Sequence, residues 1–194
     1  VVSEHDEHAI DAAAAVLTTG GTVVLPTDTI YGVAALATDL RAVGELYRLK
    51  GRPDSVPIAL LVAGPDQLEP IAEPPSPPVA RLLDTFWPGP LTVVLPRRDG
   101  QGTVGLRCPD RAFVRALAQR IGPLAVTSAN RHGAPTPVTA REAAGSLDGE
   151  VGLVVDGGRC DGVASTVVDG TDETLPVLRA GPIRPEDVAA VALR

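Results

Sequence analysis

The sequence predicts an α/β protein built on a twisted, mixed β-sheet with helices packed against it. Three observations carry that expectation. Apolar runs of strand length alternate with helix-spaced runs over the first half of the chain. In the second half the strand-like runs bunch together, which favours a mixed sheet over a purely parallel one. Several predicted strands end in short polar loops, where α/β proteins place their ligands.

Ala9, Ile10, Ala13, Ala14 and Leu17 keep helical spacing over 6–19, and Gly20-Gly21 supplies the stop. Thr22-Val23-Val24-Leu25 suits a buried strand, which Pro26 ends by removing a donor. The loop that follows, Pro26-Thr27-Asp28-Thr29-Ile30-Tyr31-Gly32, reads either as an ordinary turn or as a ligand loop, with Asp28 bracing it through backbone N–H groups. Asp39 caps a helix through 49, with Val43, Leu46, Tyr47 and Leu49 broadly on one side, and delivers Lys50-Gly51-Arg52-Pro53 to its C-terminal end. Residues 58–62 form a second buried strand, and Pro65 opens a short helix. The proline-rich segment 73–78 is stiff and extended; a helix over 79–86 follows, stopped by Trp87-Pro88-Gly89-Pro90. Residues 91–95 and 103–107 pair as a hairpin. Asp110 caps a helix carrying Phe113, Val114, Leu117 and Ile121, which Gly122-Pro123 ends before a strand over 124–127. A helix over 139–147, strands at 152–155, 165–168 and 175–178, and a helix opened by Pro185-Glu186-Asp187 complete the pattern.

Composition narrows the function. Seventeen basic against twenty-four acidic residues give a net charge of −7, which argues against holding nucleic acid by a diffuse positive field but leaves room for a local basic cleft. Sixteen of the seventeen cations are Arg; Lys50 is the sole lysine and Asn130 the sole asparagine. Cys108 and Cys160 match neither CxxC nor zinc spacing, so two reduced thiols in a soluble cytoplasmic protein are expected. Neither a membrane span nor a signal peptide is read from the sequence.

Gly100-x-Gly102-x-x-Gly105 copies a dinucleotide pattern, but it lies between strands with no helix behind it and reads as hairpin glycines. His5, His8 and His132 are too scattered for a metal site or a covalent triad. Lys50-x-Arg52 can aim two cations at one anion, or can simply sit at a helix C-terminus that favours them. Thr127-Ser128-Ala129-Asn130 sets hydroxyls and an amide just past a strand, as a phosphate or ribose contact or as a locally bonded turn. Arg107-Cys108-Pro109, Ser165-Thr166 and Arg179-Ala180-Gly181 each end a predicted strand with a cation or hydroxyls; each reads alone as surface decoration, and a shared sheet edge would bring them together.

Taken in order, these motifs, together with Pro88-Gly89-Pro90-Leu91-Thr92, resemble the YrdC-like family of threonylcarbamoyl-AMP synthases. The match covers about residues 9–192 and implies one domain over 1–194, the short form of the family, with 1–8 frayed. The resemblance implies a concave, positively lined ligand cavity on the twisted sheet. It also implies an ATP-dependent nucleotidyltransferase that joins L-threonine, bicarbonate and ATP into threonylcarbamoyl-AMP and pyrophosphate. The product would pass to a downstream threonylcarbamoyl-transferase that modifies an adenosine of tRNA. Carried over by motif, Lys50 and Arg52 would be catalytic and meet the phosphates, with Thr103, Ser128, Ala129, Asn130 and Arg179 on the ATP side. Thr29, Arg107, Thr127 and Ser165 would hold threonine, and Tyr31 would form a cavity wall. Preorganised cations, hydroxyls and Mg²⁺ would stabilise the charge gathered as a carbamate attacks the α-phosphate. Two departures stand out: Leu61 occupies a position where family members often carry His, and Arg131-His132-Gly133 replaces a smaller context. The alternatives are a paralogue that binds nucleotide without making this product, and an RNA-binding module on the same face.

Overall fold

The computed structural model describes residues 1–193. Among them the strands are β1 (Val2–Ser3), β2 (Val23–Leu25), β3 (Gly32–Leu36), β4 (Ala59–Leu61), β5 (Leu91–Pro96), β6 (Thr103–Arg107), β7 (Leu124–Ser128), β8 (Leu153–Asp156), β9 (Thr166–Asp169) and β10 (Val177–Arg179). They form one ten-stranded sheet in the order β1-β8-β2-β3-β7-β4-β6-β5-β9-β10. Parallel pairs (β1 with β8, β2 with β8, β4 with β6, β5 with β9) are interspersed with antiparallel ones, so the sheet is mixed. The helices are α1 (Ala9–Thr18), α2 (Leu40–Lys50), α3 (Pro77–Phe86), α4 (Ala112–Ile121), α5 (Ala140–Gly145) and α6 (Pro185–Ala192).

Side chains alternate across a strand, so the register sorts residues onto two faces. Ala35, Ala125, Leu60, Leu106, Val93 and Val168 follow one another across six strands on one face. That face is covered along its width: α2 and α5 pack beneath Val24, Val33, Ala35 and Ala125, while α3 and α6 pack beneath Val93 and Leu106. On the opposite face α1 and α4 cover Val23, Ala34 and Leu124. Beyond β4 no described helix continues that layer, and the residues turned that way on β6 are Thr103, Gly105 and Arg107. The sheet is therefore a two-sided sandwich at one end and an open floor at the other.

Sequence reasoning missed β3, because Gly32-Val33-Ala34-Ala35 carries little bulk and directly follows the polar loop. That loop is itself the link of the antiparallel β2–β3 pair, with Leu25 opposite Gly32. Residues 1–8 are not a frayed end throughout: Val2 and Ser3 pair with Val155 and Asp156, and Glu4 forms an ion pair with Arg111. Asp110 does not cap α4; Arg111 is the N-cap residue, and Asp110 accepts instead from Arg115 Nη1 at 3.1 Å. The stiff 73–78 segment ends sooner than expected, since Pro77 and Pro78 fill the first turn of α3, where the missing N–H groups cost nothing.

Helix α2 matters most to the site, since it carries the cationic motif. Asp39 accepts from Arg41 N at 3.0 Å and Ala42 N at 3.1 Å, and Gly51 closes the helix at φ +56°, a left-handed conformation suited to glycine. The carbonyls of Leu49 and Lys50 accept from Asp148 N and His132 N at 2.7 and 2.8 Å, which ties the helix end to the segment after β7. Asp39→Ala is expected to cost about 1 kcal/mol, read as a lower urea midpoint at unchanged slope. An unchanged midpoint would remove the cap from this account.

Candidate active site

The open floor is the base of a cavity of about 440 Å³, within the usual range for small-molecule sites. Its floor is the exposed face of β4, β6 and β5, and its walls are the loops 26–31, 52–58 and 164–165 with the end of β10. The expected meeting place was a sheet edge; the residues instead meet on a face, because alternation presents Thr103, Gly105 and Arg107 together. Gly105 keeps the floor low. A Cβ there would stand 3.5 Å from Ala59 Cβ and from Thr92 Cγ2, so any larger side chain would rise into the cavity.

The loop between β2 and β3 is braced by Thr27. Its hydroxyl accepts from the N–H groups of Thr29 and Ile30, each at 3.1 Å, and lies 2.6 Å from Ile30 O. Asp28, expected to be the brace, instead accepts from Arg107 Nη2 at 2.6 Å. Arg107 is only 5% exposed. Its Nη1 donates to Thr29 Oγ1 and its Nε to Gly89 O, both at 3.0 Å, so the end of β6 is locked to the loop and to the Trp87-Pro88-Gly89-Pro90 segment. Burial lowers its pKa from the ordinary arginine value, with the Asp28 carboxylate opposing.

Two further guanidinium groups enter the wall. Arg52 donates to Pro57 O at 2.8 Å and Thr127 Oγ1 at 3.3 Å, while its buried Nε has no partner among the described residues. Arg179 donates from Nη2 to Ser165 O at 2.8 Å and to Ser165 Oγ at 2.9 Å. Its pKa is pulled down by burial first, then by repulsion from Arg107 and Arg52. Among the described residues no Asp or Glu lines the cavity, and Thr29, Thr103, Thr127, Ser128 and Ser165 supply hydroxyls.

Lys50, Ala129 and Asn130 stand apart from that lining. Lys50 is 2% exposed. Its ammonium donates to the carbonyls of Ser128 and Asn130, with Ser128 Oγ and Asn130 Oδ1 each at 3.3 Å. Asn130 Nδ2 donates to Ala134 O at 2.6 Å, and Ala129 is fully buried. This lysine thus holds the turn that presents Ser128, one layer behind the wall. Tyr31 contributes to the wall but its phenol is buried, donating to Gly158 O at 2.6 Å and accepting from Gly157 N at 3.1 Å; burial lifts its pKa to about 12. Sequence reasoning assigned no role to Thr92 and read Gly105 only as a hairpin glycine. A hydroxyl between Leu91 and Val93, on a strand with one face buried, was the available signal for Thr92.

The comparisons bear on this geometry. A family profile named Sua5/YciO/YrdC, described as "Telomere recombination", matches residues 15–181. The chain belongs to this family. It is 38% identical over 193 residues to the threonylcarbamoyl-AMP synthase of Bacillus subtilis, covering 94% of this chain and 56% of that protein. A putative threonylcarbamoyl-AMP synthase of Mycobacterium tuberculosis is 36% identical over 197 residues, covering 97% of this chain and 91% of the relative. The crystal structure of Pyrococcus abyssi Sua5 complexed with L-threonine superposes with a TM-score of 0.89 at 35% identity, over 94% of this chain and 56% of the other. The chain therefore spans little more than half of two of these family members and most of the third, and it shares their twisted, open α/β sheet.

Two outcomes are expected. Gly105→Ile should weaken binding of inorganic pyrophosphate about tenfold or more without loss of thermal stability, since a β-branched residue suits a strand better than glycine; calorimetric titration would show it, and unchanged affinity would detach the floor from ligand binding. The second concerns pH. Burial, then Arg52, lowers Lys50 from the ordinary 10.5 to about 8, so the unfolded chain holds more protons than the folded one between those values. Stability carried by this residue therefore rises as pH increases through that window. The stability of wild type relative to Lys50→Met should increase between about pH 8 and pH 10, followed by urea midpoints; a flat difference would contradict it.

Proposed function

We propose that this chain is an L-threonylcarbamoyladenylate synthase, forming threonylcarbamoyl-AMP and pyrophosphate from L-threonine, bicarbonate and ATP. The observation that carries the reading is the convergence of Arg52, Arg107 and Arg179 on one cavity whose wall has no carboxylate among the described residues. Such a wall suits a substrate set made of a carboxylate, a carbamate and a polyphosphate. The names of the relatives support the same product, and the threonine-bound neighbour supports threonine as a substrate.

In this reading threonine's amine takes up bicarbonate, losing water, and a carbamate oxygen then attacks the α-phosphorus while pyrophosphate leaves. Arg107 meets the threonine carboxylate with the N–H groups it does not spend on Thr29, Asp28 and Gly89; Thr29, Thr127 and Ser165 complete that side. Arg52 and Arg179 face the phosphates, helped by Thr103 and Ser128. Lys50, Ala129 and Asn130 hold the turn behind them. No covalent nucleophile is needed. Among the described residues no cluster of ligating side chains offers a resident metal site, and the lining provides no carboxylate, so Mg²⁺ would enter with ATP as part of the substrate.

The product would feed a transferase that modifies tRNA in the cytoplasm; no described helix is long and apolar enough to cross a membrane. Leu61 in the cavity wall favours a second reading, a nucleotide-binding paralogue without synthase activity. Pyrophosphate release from ATP, measured with and without L-threonine and bicarbonate, separates the two. The synthase reading expects release that requires both co-substrates and falls about 100-fold or more in kcat/KM in Arg52→Ala. Release that ignores threonine, or none from a folded sample, would sink it.

A further inference from the structure

We propose that Thr92 is a ligand-positioning residue of the cavity, acting with Ser165 as one unit that presents a single O–H donor to an anionic oxygen. The inference rests on the reading of the cavity as an anion site. Thr92 lies on β5 between Leu91 and Val93, which are fully buried against the helix-covered face, so alternation turns its hydroxyl to the open side. Thr92 lines the cavity and is 5% exposed, and its Oγ1 lies 2.8 Å from Ser165 Oγ. Ser165 Oγ also accepts from Arg179 Nη2 at 2.9 Å.

The proton count decides what this pair can do. Each hydroxyl brings one proton and two lone pairs. One of the two protons is used in the bond between them, whichever oxygen donates it. The N–H of Arg179 fills a lone pair of Ser165 and uses no hydroxyl proton. Among the described residues one O–H is therefore left without an acceptor, in a wall whose charged neighbours are guanidinium groups. An oxygen of a carboxylate, carbamate or phosphate is the acceptor that such a wall gathers. Because both hydroxyls are buried, the remaining donor is fixed by its partner and by Arg179 instead of rotating freely in water, and this prior orientation is what Thr92 contributes.

The test is a double-mutant cycle read by direct binding, which does not depend on turnover. Wild type, Thr92→Val, Thr92→Ser, Ser165→Ala and the Thr92→Val/Ser165→Ala pair are titrated calorimetrically with L-threonine, ATP and inorganic pyrophosphate. Thr92→Val preserves shape and removes the hydroxyl. It and Ser165→Ala should each weaken the same ligand about tenfold, and the double variant should be no more than about twofold worse than the weaker single. Thr92→Ser should stay within about twofold of wild type. Weakening confined to L-threonine identifies a carboxylate as the acceptor; weakening of ATP and pyrophosphate together identifies a phosphate. Either selectivity separates positioning from general loss of packing, which would weaken all ligands alike and lower the melting temperature. Losses that multiply to about 100-fold in the double variant, or unchanged affinities in Thr92→Val, would overturn the proposal. A wild type that binds pyrophosphate but neither L-threonine nor ATP would sink the synthase reading and leave the hydroxyl pair to be judged on pyrophosphate alone.

Discussion

Three guanidinium groups, two of them close enough to repel the third, are the constraint around which the site is built. Arg179 experiences both Arg107 and Arg52, and burial strips each of water that would otherwise screen it. Among the described residues only Arg107 of the three has a carboxylate partner, Asp28; Arg52 and Arg179 rest on neutral carbonyls and hydroxyls. Neutral acceptors orient a cation without cancelling its charge, so the wall keeps a field that an anion can use. The same bonds order the walls: Pro57, Ser165, Gly89 and Thr29 are each held by the arginine they serve. Ligand affinity and loop order thus share one set of contacts.

A protein of net charge −7 can carry such a site because three of its cations, Arg52, Arg107 and Arg179, converge on a stretch of sheet that no described helix covers. The layer formed by α1 and α4 stops at β7 and β4, while the α2/α5 and α3/α6 layers together run beneath the sheet from β2 to β9. The covered face supplies the apolar burial that stabilises the strands, which releases the other face from packing duty. Glycine at 105 and small residues at 59 and 92 then set the depth of the floor. An acidic surround with a basic hollow also concentrates the field in the hollow, which favours compact anions over an extended polyanion lying along the surface.

Much of this was legible in the chain. Strand-ending polar motifs stand out against apolar runs, and their order resembles that of the family. What escaped notice did so for physical reasons. β3 is built of small residues, so neither period nor bulk marks it, and β1 is two residues long. The choice of face over edge depends on register, which is set by pairing between strands far apart in sequence, such as Leu61 with Arg107. The division of labour at the first loop was misread because Asp and Thr can both brace a turn, and only the position of Arg107 draws Asp28 away.

The two scarcest polar residues, Lys50 and Asn130, were conspicuous in composition, and the structure brings them together beneath the wall. A compact ammonium can divide its N–H groups between two carbonyls in a space where a planar guanidinium would need a wider fork. That geometry gives a reason for lysine at the one position where this chain departs from arginine. It also makes the turn after β7 an extension of α2, since the carbonyl of Lys50 accepts from His132 while its side chain binds Ser128 and Asn130. Arg52, two residues farther on, touches Thr127 near the end of β7, just before that turn. The two motifs therefore form one rigid corner: α2 aims the guanidinium, β7 supplies the hydroxyls, and the buried lysine fixes the distance between them.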